Sequence, residues 1–306
     1  MSRSPFARIT VLAGIWGCSF LFIKVALDGV SATQVVLARI VLGAFTLLAY
    51  CAVRRERLPP WGRTWMHLAF MGIVANVLPF LGFSWGEGHG ATSGLAGIYN
   101  ATTPLWTLLF AMAVLPAERP TRARVVGLVL GFLGVLIVLA PWRSVEGARL
   151  GGQLACLGAG ACYGVAFVWT RRFLAGVAAP LGLAAAQLFC ATVEFGLIAP
   201  FVATGHVDLA PRVWLSLLAL GAIGTGIAYV IYYGLIHDVG ATTASTVTYV
   251  VPLVAVTLGV VVLGETVRWN DFAGAAVVIT GIGVAEGRLR WRNVMAKARG
   301  SSEAPG

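Results

Sequence analysis

Two charged side chains, Arg39 and Glu194, sit deep inside otherwise apolar stretches of this chain. Charge among apolar neighbours is expensive, so such groups are paired, turned toward protein, or put to use. A buried guanidinium can form an ion pair with a buried carboxylate, and a buried carboxylate can carry a proton. Lys24 and Arg171 stand at the ends of two such stretches, 147 residues apart. They suit a gate or a guide for substrate carboxylates, and equally an anchor that snorkels to the membrane surface. Pro104 and Pro252 fall in the middle of their stretches. Each removes a backbone donor and crowds the carbonyl four residues earlier, on Asn100 and Thr248. Tyr99, Asn100, Thr102 and Thr103 surround the first proline, and Thr243, Ser245, Thr246, Thr248 and Tyr249 the second. Interrupted helices with polar residues at mid-membrane depth are tolerated where they line a cavity. This places the expected solute path here; a kinked packing helix whose hydroxyls bond their own backbone is the other reading.

The elements that position these residues follow from composition. Of 306 residues, 58% are hydrophobic and 11% charged, with mean hydropathy +0.86. Typical soluble domains carry about 25% charge, so a water-soluble enzyme, a disordered chain and a secreted disulfide scaffold are all excluded. Ten apolar runs emerge, at 9–27, 33–53, 65–85, 91–115, 123–140, 150–170, 181–203, 212–236, 241–263 and 271–287. They are long enough to cross a bilayer as helices and lack the alternation of strands. The spacing predicts an all-α membrane protein with ten transmembrane helices and no room for a soluble catalytic domain. Cys18, Cys51, Cys156, Cys162 and Cys190 form no CxxC pair and read as packing residues. Asp28, Asp208, Asp238 and Asp271 and the histidines His67, His89, His206 and His237 are scattered near span ends, so neither a metal site nor a cofactor is expected. Neither Lys24 nor Lys297 follows a glycine, which rules out a Walker A motif and with it an ATP-driven pump.

Lysine and arginine set the orientation. With the N-terminus in the cytoplasm, sixteen of the 22 basic residues fall on cytoplasmic segments. Five (Lys24, Arg143, Arg149, Arg212, Arg268) face outward, and Arg39 is within a span. The net charge of +10 thus reads as membrane topology, and no nucleic-acid partner is expected. Both termini are placed in the cytoplasm of a cell inner (plasma) membrane, with 288–306 as a basic tail.

The chain also repeats itself. Trp16-Gly17-x-x-Phe20 matches Tyr163-Gly164-x-x-Phe167; Lys24 matches Arg171; Glu118 matches Glu265; Gly127 and Gly134 match Gly274 and Gly281, all at an offset of 147, and Pro104 matches Pro252 at 148. Each copy holds five spans, so the second enters the bilayer from the opposite side. Such inverted repeats build secondary transporters with one site between the halves. The expected units are 8–140 and 150–287.

Three features together resemble the EamA family of the drug/metabolite transporter (DMT) superfamily. They are the Trp-Gly-x-x-Phe-x-x-x-Lys of the first span, the mid-span proline of the fourth, and the closing glutamate of Leu-Pro-Ala-Glu-Arg (115–119) and Leu-Gly-Glu-Thr (263–266). The resemblance covers about residues 8–287; Pro116-Ala117 before Glu118 departs from the more usual glycine. It implies a carrier that exports or exchanges small metabolites such as amino acids or drug-like amphipathic solutes, with a cavity lined by spans 1, 3, 4, 6, 8 and 9. Nucleotide-sugar or organic-phosphate antiport on the same fold, a channel, and a non-transport intramembrane protein are the alternatives.

The expected substrate-binding set is Trp16, Phe20, Asn76, Tyr99, Asn100, Thr103, Tyr163, Phe167, Tyr229, Tyr233, Thr246 and Tyr249. Lys24, Arg39, Arg171 and Glu194 are the expected gating or coupling groups, and Pro104 and Pro252 the helix breakers. Arg39 and Glu194 lie roughly 7–8 Å and 4–5 Å outward of their span centres at 1.5 Å per residue, on repeat-equivalent helices. An ion pair between them is sterically open, with protons as a candidate coupling ion and Glu194 as their carrier. Glu118 and Glu265 are expected to tie span ends to neighbouring backbone. The glycines of spans five and ten mark a packing or dimer face, and the protein is expected as a monomer or homodimer.

Overall fold

The structure, a computed structural model, describes residues 5–115, 120–140, 147–239, 244 and 247–287. Glu118, Thr243, Ser245, Thr246 and the basic tail lie outside the described residues. No strand occurs among the described residues. The described residues form ten spans: α1 (Pro5–Ala26), α2 (Ala32–Arg54), α3 (Arg63–Gly88), α4 (Ser93–Asn100 and Thr103–Val114), α5 (Arg122–Leu139), α6 (Gly147–Trp169), α7 (Pro180–Val202), α8 (Pro211–Val239), α9 (Val247–Leu263) and α10 (Trp269–Ala285). Seven are long and apolar enough to cross a membrane. The two 17-residue helices α9 and α10 and the divided α4 complete the set. With an even number of spans, both ends of the bundle emerge on one side, here the termini face; the opposite side is the far face. Phe45, Leu197, Phe201 and Val261 are exposed on the outside of the bundle, an apolar coat that lipid requires.

Local chemistry sets the ends. Ser31 caps α2 by accepting from the Gln34 amide, while Gln34 Oε1 accepts from Ser31 N at 2.8 Å, a reciprocal capping box. Thr92 Oγ1 accepts from Leu95 N to start α4. Gly264, at φ 65°, makes the left-handed turn that ends α9 and returns Glu265 toward the bundle.

The helix contacts of the two copies repeat one another as a two-fold axis requires. α1 packs on α8 and α9, and its equivalent α6 packs on α3 and α4; α2 packs on α8, and its equivalent α7 on α3. The axis is clearest between α5 and α10. A Cβ on Gly127 would lie 2.5 Å from the Gly281 carbonyl oxygen, and one on Gly134 would lie 2.8 Å from that of Gly274. The 147-residue offset turns Gly127 into Gly274 and Gly281 into Gly134, so one contact is the image of the other. The numbers rise along one helix as they fall along the other, which makes α5 and α10 antiparallel. The glycine face is therefore consumed within one chain, where small residues let two backbones meet.

The two mid-span prolines behave differently. Span four does break: Ala101 and Thr102 form a turn, and Pro104 opens the second half-helix. Thr102 Oγ1 donates to the Tyr99 carbonyl (2.6 Å) and Thr103 Oγ1 to that of Asn100 (2.7 Å). These local bonds replace the helical ones. The break expected at Pro252 is absent, for α9 runs through it. The residues just before Pro252 are Val250 and Val251, which have no hydroxyl to take over a freed carbonyl, so the helix loses one bond and continues.

Candidate functional site

Two spans, α3 and α8, carry π-helical turns in their interior, Ile73–Val77 and Ala219–Ile227, while a third π turn, Thr170–Leu174, follows the end of α6. The repeat offset maps the first onto 220–224, inside the second. Such turns widen the helix and cluster at functional sites. The turns of α3 and α8 each deliver one fully buried polar side chain to the interior, Asn76 and Thr225.

Thr225 Oγ1 donates to the Leu220 carbonyl at 3.0 Å and accepts from Arg39 Nε at 3.1 Å. Arg39 is 8% exposed, and its guanidinium carbon lies 3.9 Å from the centroid of the Phe80 ring. The ring face and the hydroxyl fix the plane of the fork, while its two Nη groups hold no bond to any described residue. Asn76 Nδ2 donates to the Tyr229 hydroxyl (3.3 Å), and Gln187 Nε2 donates to Asn76 Oδ1 (2.6 Å). From Tyr229 a chain of rings continues through Tyr233 (6.2 Å), Tyr232 (5.6 Å) and Trp16 (5.2 Å). A second run links Phe20, Phe83 and Tyr163, and Tyr163 and Tyr229 are both within electrostatic reach of Arg39. The result is one buried cation with a free fork, amides, and half-exposed phenols where the copies meet. It can hold an anionic headgroup by its edge and a flat apolar body between rings.

The far face is closed over this site. Lys24 Nζ donates to the Glu87 carbonyl oxygen at 2.8 Å. Glu265 bridges the two copies: it accepts from Ser93 N (2.8 Å), Ser93 Oγ (2.9 Å) and Gly94 N (3.2 Å) at the start of α4, where the helix dipole favours a carboxylate. Asp208 N donates to the Gly29 carbonyl at 2.8 Å. Glu265 thus ties a span end to neighbouring backbone.

Of the expected site residues, Trp16, Phe20, Asn76, Tyr163, Tyr229, Tyr233 and Arg39 meet in this cluster. Others fall elsewhere. Tyr99 is fully buried and donates to Gln153 Oε1 at 2.7 Å, and the Thr103 hydroxyl is turned onto its own helix; Asn100 contributes its carbonyl to that bond. Phe167 is 49% exposed, near the end of α6 where residues 171–173 are also exposed. Tyr249 donates to Glu286 at 2.7 Å at the termini face, and Arg171 is exposed there on the π turn Thr170–Leu174. The ion pair between Arg39 and Glu194 does not form: Arg39 turns to Thr225, whereas Glu194 Oε2 is buried against Gly72 without a hydrogen-bond partner. Similar depth leaves the azimuth around each helix free, and the two side chains point to different neighbours.

Two cavities lie away from this cluster. The larger, about 330 Å³, is an apolar groove lined by Leu109, Leu128, Phe132 and Leu136 among others, and the smaller lies beside Pro252. Among the described residues no group of three or more His, Cys, Asp or Glu converges to hold a metal ion. Sequence reasoning missed Thr225, one hydroxyl residue inside the apolar run 212–236. It also missed Gln153, and Glu87, which lies just past the run taken as span three.

One prediction belongs to Tyr99. Replacing it by phenylalanine orphans the buried Gln153 acceptor at an expected cost of about 1–3 kcal/mol. A thermal melt of the purified protein would register this, while flux per folded molecule should be unchanged.

Comparison with known proteins agrees with this architecture. The family model described as EamA-like transporter family matches residues 8–140 and again 150–285. The "Uncharacterized inner membrane transporter YedA" of Escherichia coli K12 is 25% identical over 278 residues, covering 90% of this chain and 88% of that protein. The "Probable amino-acid metabolite efflux pump" of the same strain is 22% identical over 307 residues (96% and 99%). The "Probable terminal-alkyne amino-acid exporter" of Streptantibioticus cattleyicolor is 25% identical over 285 residues (92% and 93%). One solved crystal structure superposes with a TM-score of 0.65 at 20% identity, over 93% of this chain and 98% of that one, which shows a shared fold. A ten-span bundle of two inverted copies, matched twice over nearly its whole length, places this multi-pass membrane chain in the EamA-like transporter family.

Proposed function

We propose that this chain is a secondary transporter of the cell inner (plasma) membrane. It exports small carboxylate-bearing metabolites, amino acids and amphipathic relatives of them, by alternating access, with both termini in the cytoplasm. The observation that carries the reading is the Arg39 fork, held flat on Phe80 and by Thr225 with both Nη groups uncommitted. The two Nη groups are not among the buried polar atoms left without a partner, so they keep accessible surface inside the cluster, where a solute carboxylate can take both donors. The adjoining Trp16, Tyr232, Tyr233 and Tyr229 rings suit an apolar or aromatic side chain. Two relatives named for amino-acid efflux or export support the same class. Lys24, which closes the far face, and Arg171 at the termini face would act on the two mouths. Nucleotide sugars and organic phosphates would demand more cationic groups than Arg39 and Lys24 supply.

The test is flux from proteoliposomes of the full chain, with L-phenylalanine, L-leucine and L-threonine each set against its decarboxylated amine. The reading expects the acids to move at least about tenfold faster than the amines, the discrimination a charge-assisted bidentate bond can give. Equal rates for acid and amine would remove Arg39 as the anchor.

A further inference from the structure

The far face of the site contains a carboxyl group that the proposed transport leaves unused. Glu87, in the last turn of α3, is 0% exposed, and neither of its carboxyl oxygens has a hydrogen-bond partner. Four charged or titratable groups surround it within electrostatic range: Lys24 from α1, Arg39 from α2, Cys156 from α6 and Glu265 from the turn after α9. The nearest cation does not neutralise it directly, since the Lys24 ammonium donates to the Glu87 backbone carbonyl instead. An ionised carboxylate stripped of water and left without a donor costs several kcal/mol, and the neutral acid much less. The far-face seal would strand that charge, and opening the seal would hydrate it.

We infer that Glu87 is a proton-binding site that controls the far-face gate: with the proton bound, the ends of α1, α3 and α4 close over the carboxyl, and when the proton leaves to water the gate opens. Apart from this proton transfer, no covalent bond forms or breaks. The inference rests on the transporter reading, for which it names a coupling ion and a carrier. It also moves that role from Glu194 to Glu87. The repeat offset carries Glu87 onto Gly234, so the termini face has no matching acid and the device acts on one face alone. Such asymmetry lets a pH difference across a membrane bias a nearly symmetric machine.

Two measurements on the full chain in lipid need no substrate. Infrared spectra of the wild type minus Glu87→Gln isolate the one carboxyl. At neutral pH the expected difference is the C=O stretch of a protonated acid; a carboxylate band there instead overturns the proposal. The second reads opening through Cys156, which is buried beside Gly86, in a background whose other four cysteines are alanine. From about pH 6 to about pH 8.5, maleimide labelling of Cys156 with Glu87 in place should come to exceed that of Glu87→Gln by about tenfold. An ionised Glu87 would by itself suppress the neighbouring thiolate, so faster labelling in its presence reads opening. Identical profiles would overturn the switch even if the acid is protonated. Both readouts stand whether or not any tested solute is moved, which keeps a failure here separate from a failure of the transport reading.

Discussion

Replacing Gly127 by valine is expected to abolish the folded protein. The new Cβ would sit 2.5 Å from the Gly281 carbonyl oxygen and 2.5 Å from the Ala285 amide nitrogen. Both obstacles are backbone of the opposing helix, so no rotamer change relieves them, and α5 and α10 must separate along their whole contact. Overpacking of a tight interface costs about 1–3 kcal/mol, and parting the helices forfeits the packing beyond it, so a loss of at least about 3 kcal/mol is expected. Size-exclusion profiles in detergent should show aggregate in place of a single peak. Gly281→Ala should behave alike, because its Cβ would lie 2.4 Å from Gly131 N. Gly158→Ala is the control. Nothing lies within 4 Å of that position, and alanine in a helix interior should be neutral or slightly stabilising, within about 1 kcal/mol. A Gly127→Val protein that purifies and melts like the wild type would dissolve the intramolecular two-fold axis.

The second large effect is on Arg39. Glutamine keeps one donor and comparable length but loses the charge and the fork. The expected result is a folded protein whose flux of carboxylate solutes falls by about 10- to 150-fold, the equivalent of losing a charged hydrogen bond of about 1.5–3 kcal/mol. Lysine should recover little, since a point charge cannot present two parallel donors while stacked on Phe80. Uptake of the decarboxylated amines should not fall in parallel. If Arg39→Gln instead lowers all fluxes equally, together with melting temperature, Arg39 is a structural group.

The sequence carried the long-range order of this molecule more fully than its site. Apolar runs bounded by charge gave ten spans because lipid tolerates nothing else. The Gly127–Gly134 and Gly274–Gly281 spacing marked a face because seven residues are two helical turns. Pro104 broke its helix where threonines could take the freed carbonyls, and Pro252 did not because valines cannot. The π turns at 73–77 and 219–227 have no periodic signature, so Asn76 stood out as a buried amide while Thr225 did not. Glu87 was hidden by an error of three residues in the end of span three, at a Gly-Glu-Gly-His-Gly stretch that reads as a turn. Arg39 and Glu194 were found by charge alone. Depth is countable along a helix, but which neighbour a side chain turns to depends on packing that one sequence does not display.

The central claim is that two oppositely oriented copies share a single solute site reached from one side at a time. Counterflow tests it most directly: proteoliposomes of the full chain, loaded with unlabelled L-phenylalanine or another solute moved in the flux panel, are diluted into a trace of the same solute bearing a label. The account predicts saturable uptake with a transient overshoot of label above equilibrium, absent from Arg39→Gln. Flux that rises linearly with concentration, without overshoot and unchanged by that substitution, would contradict it.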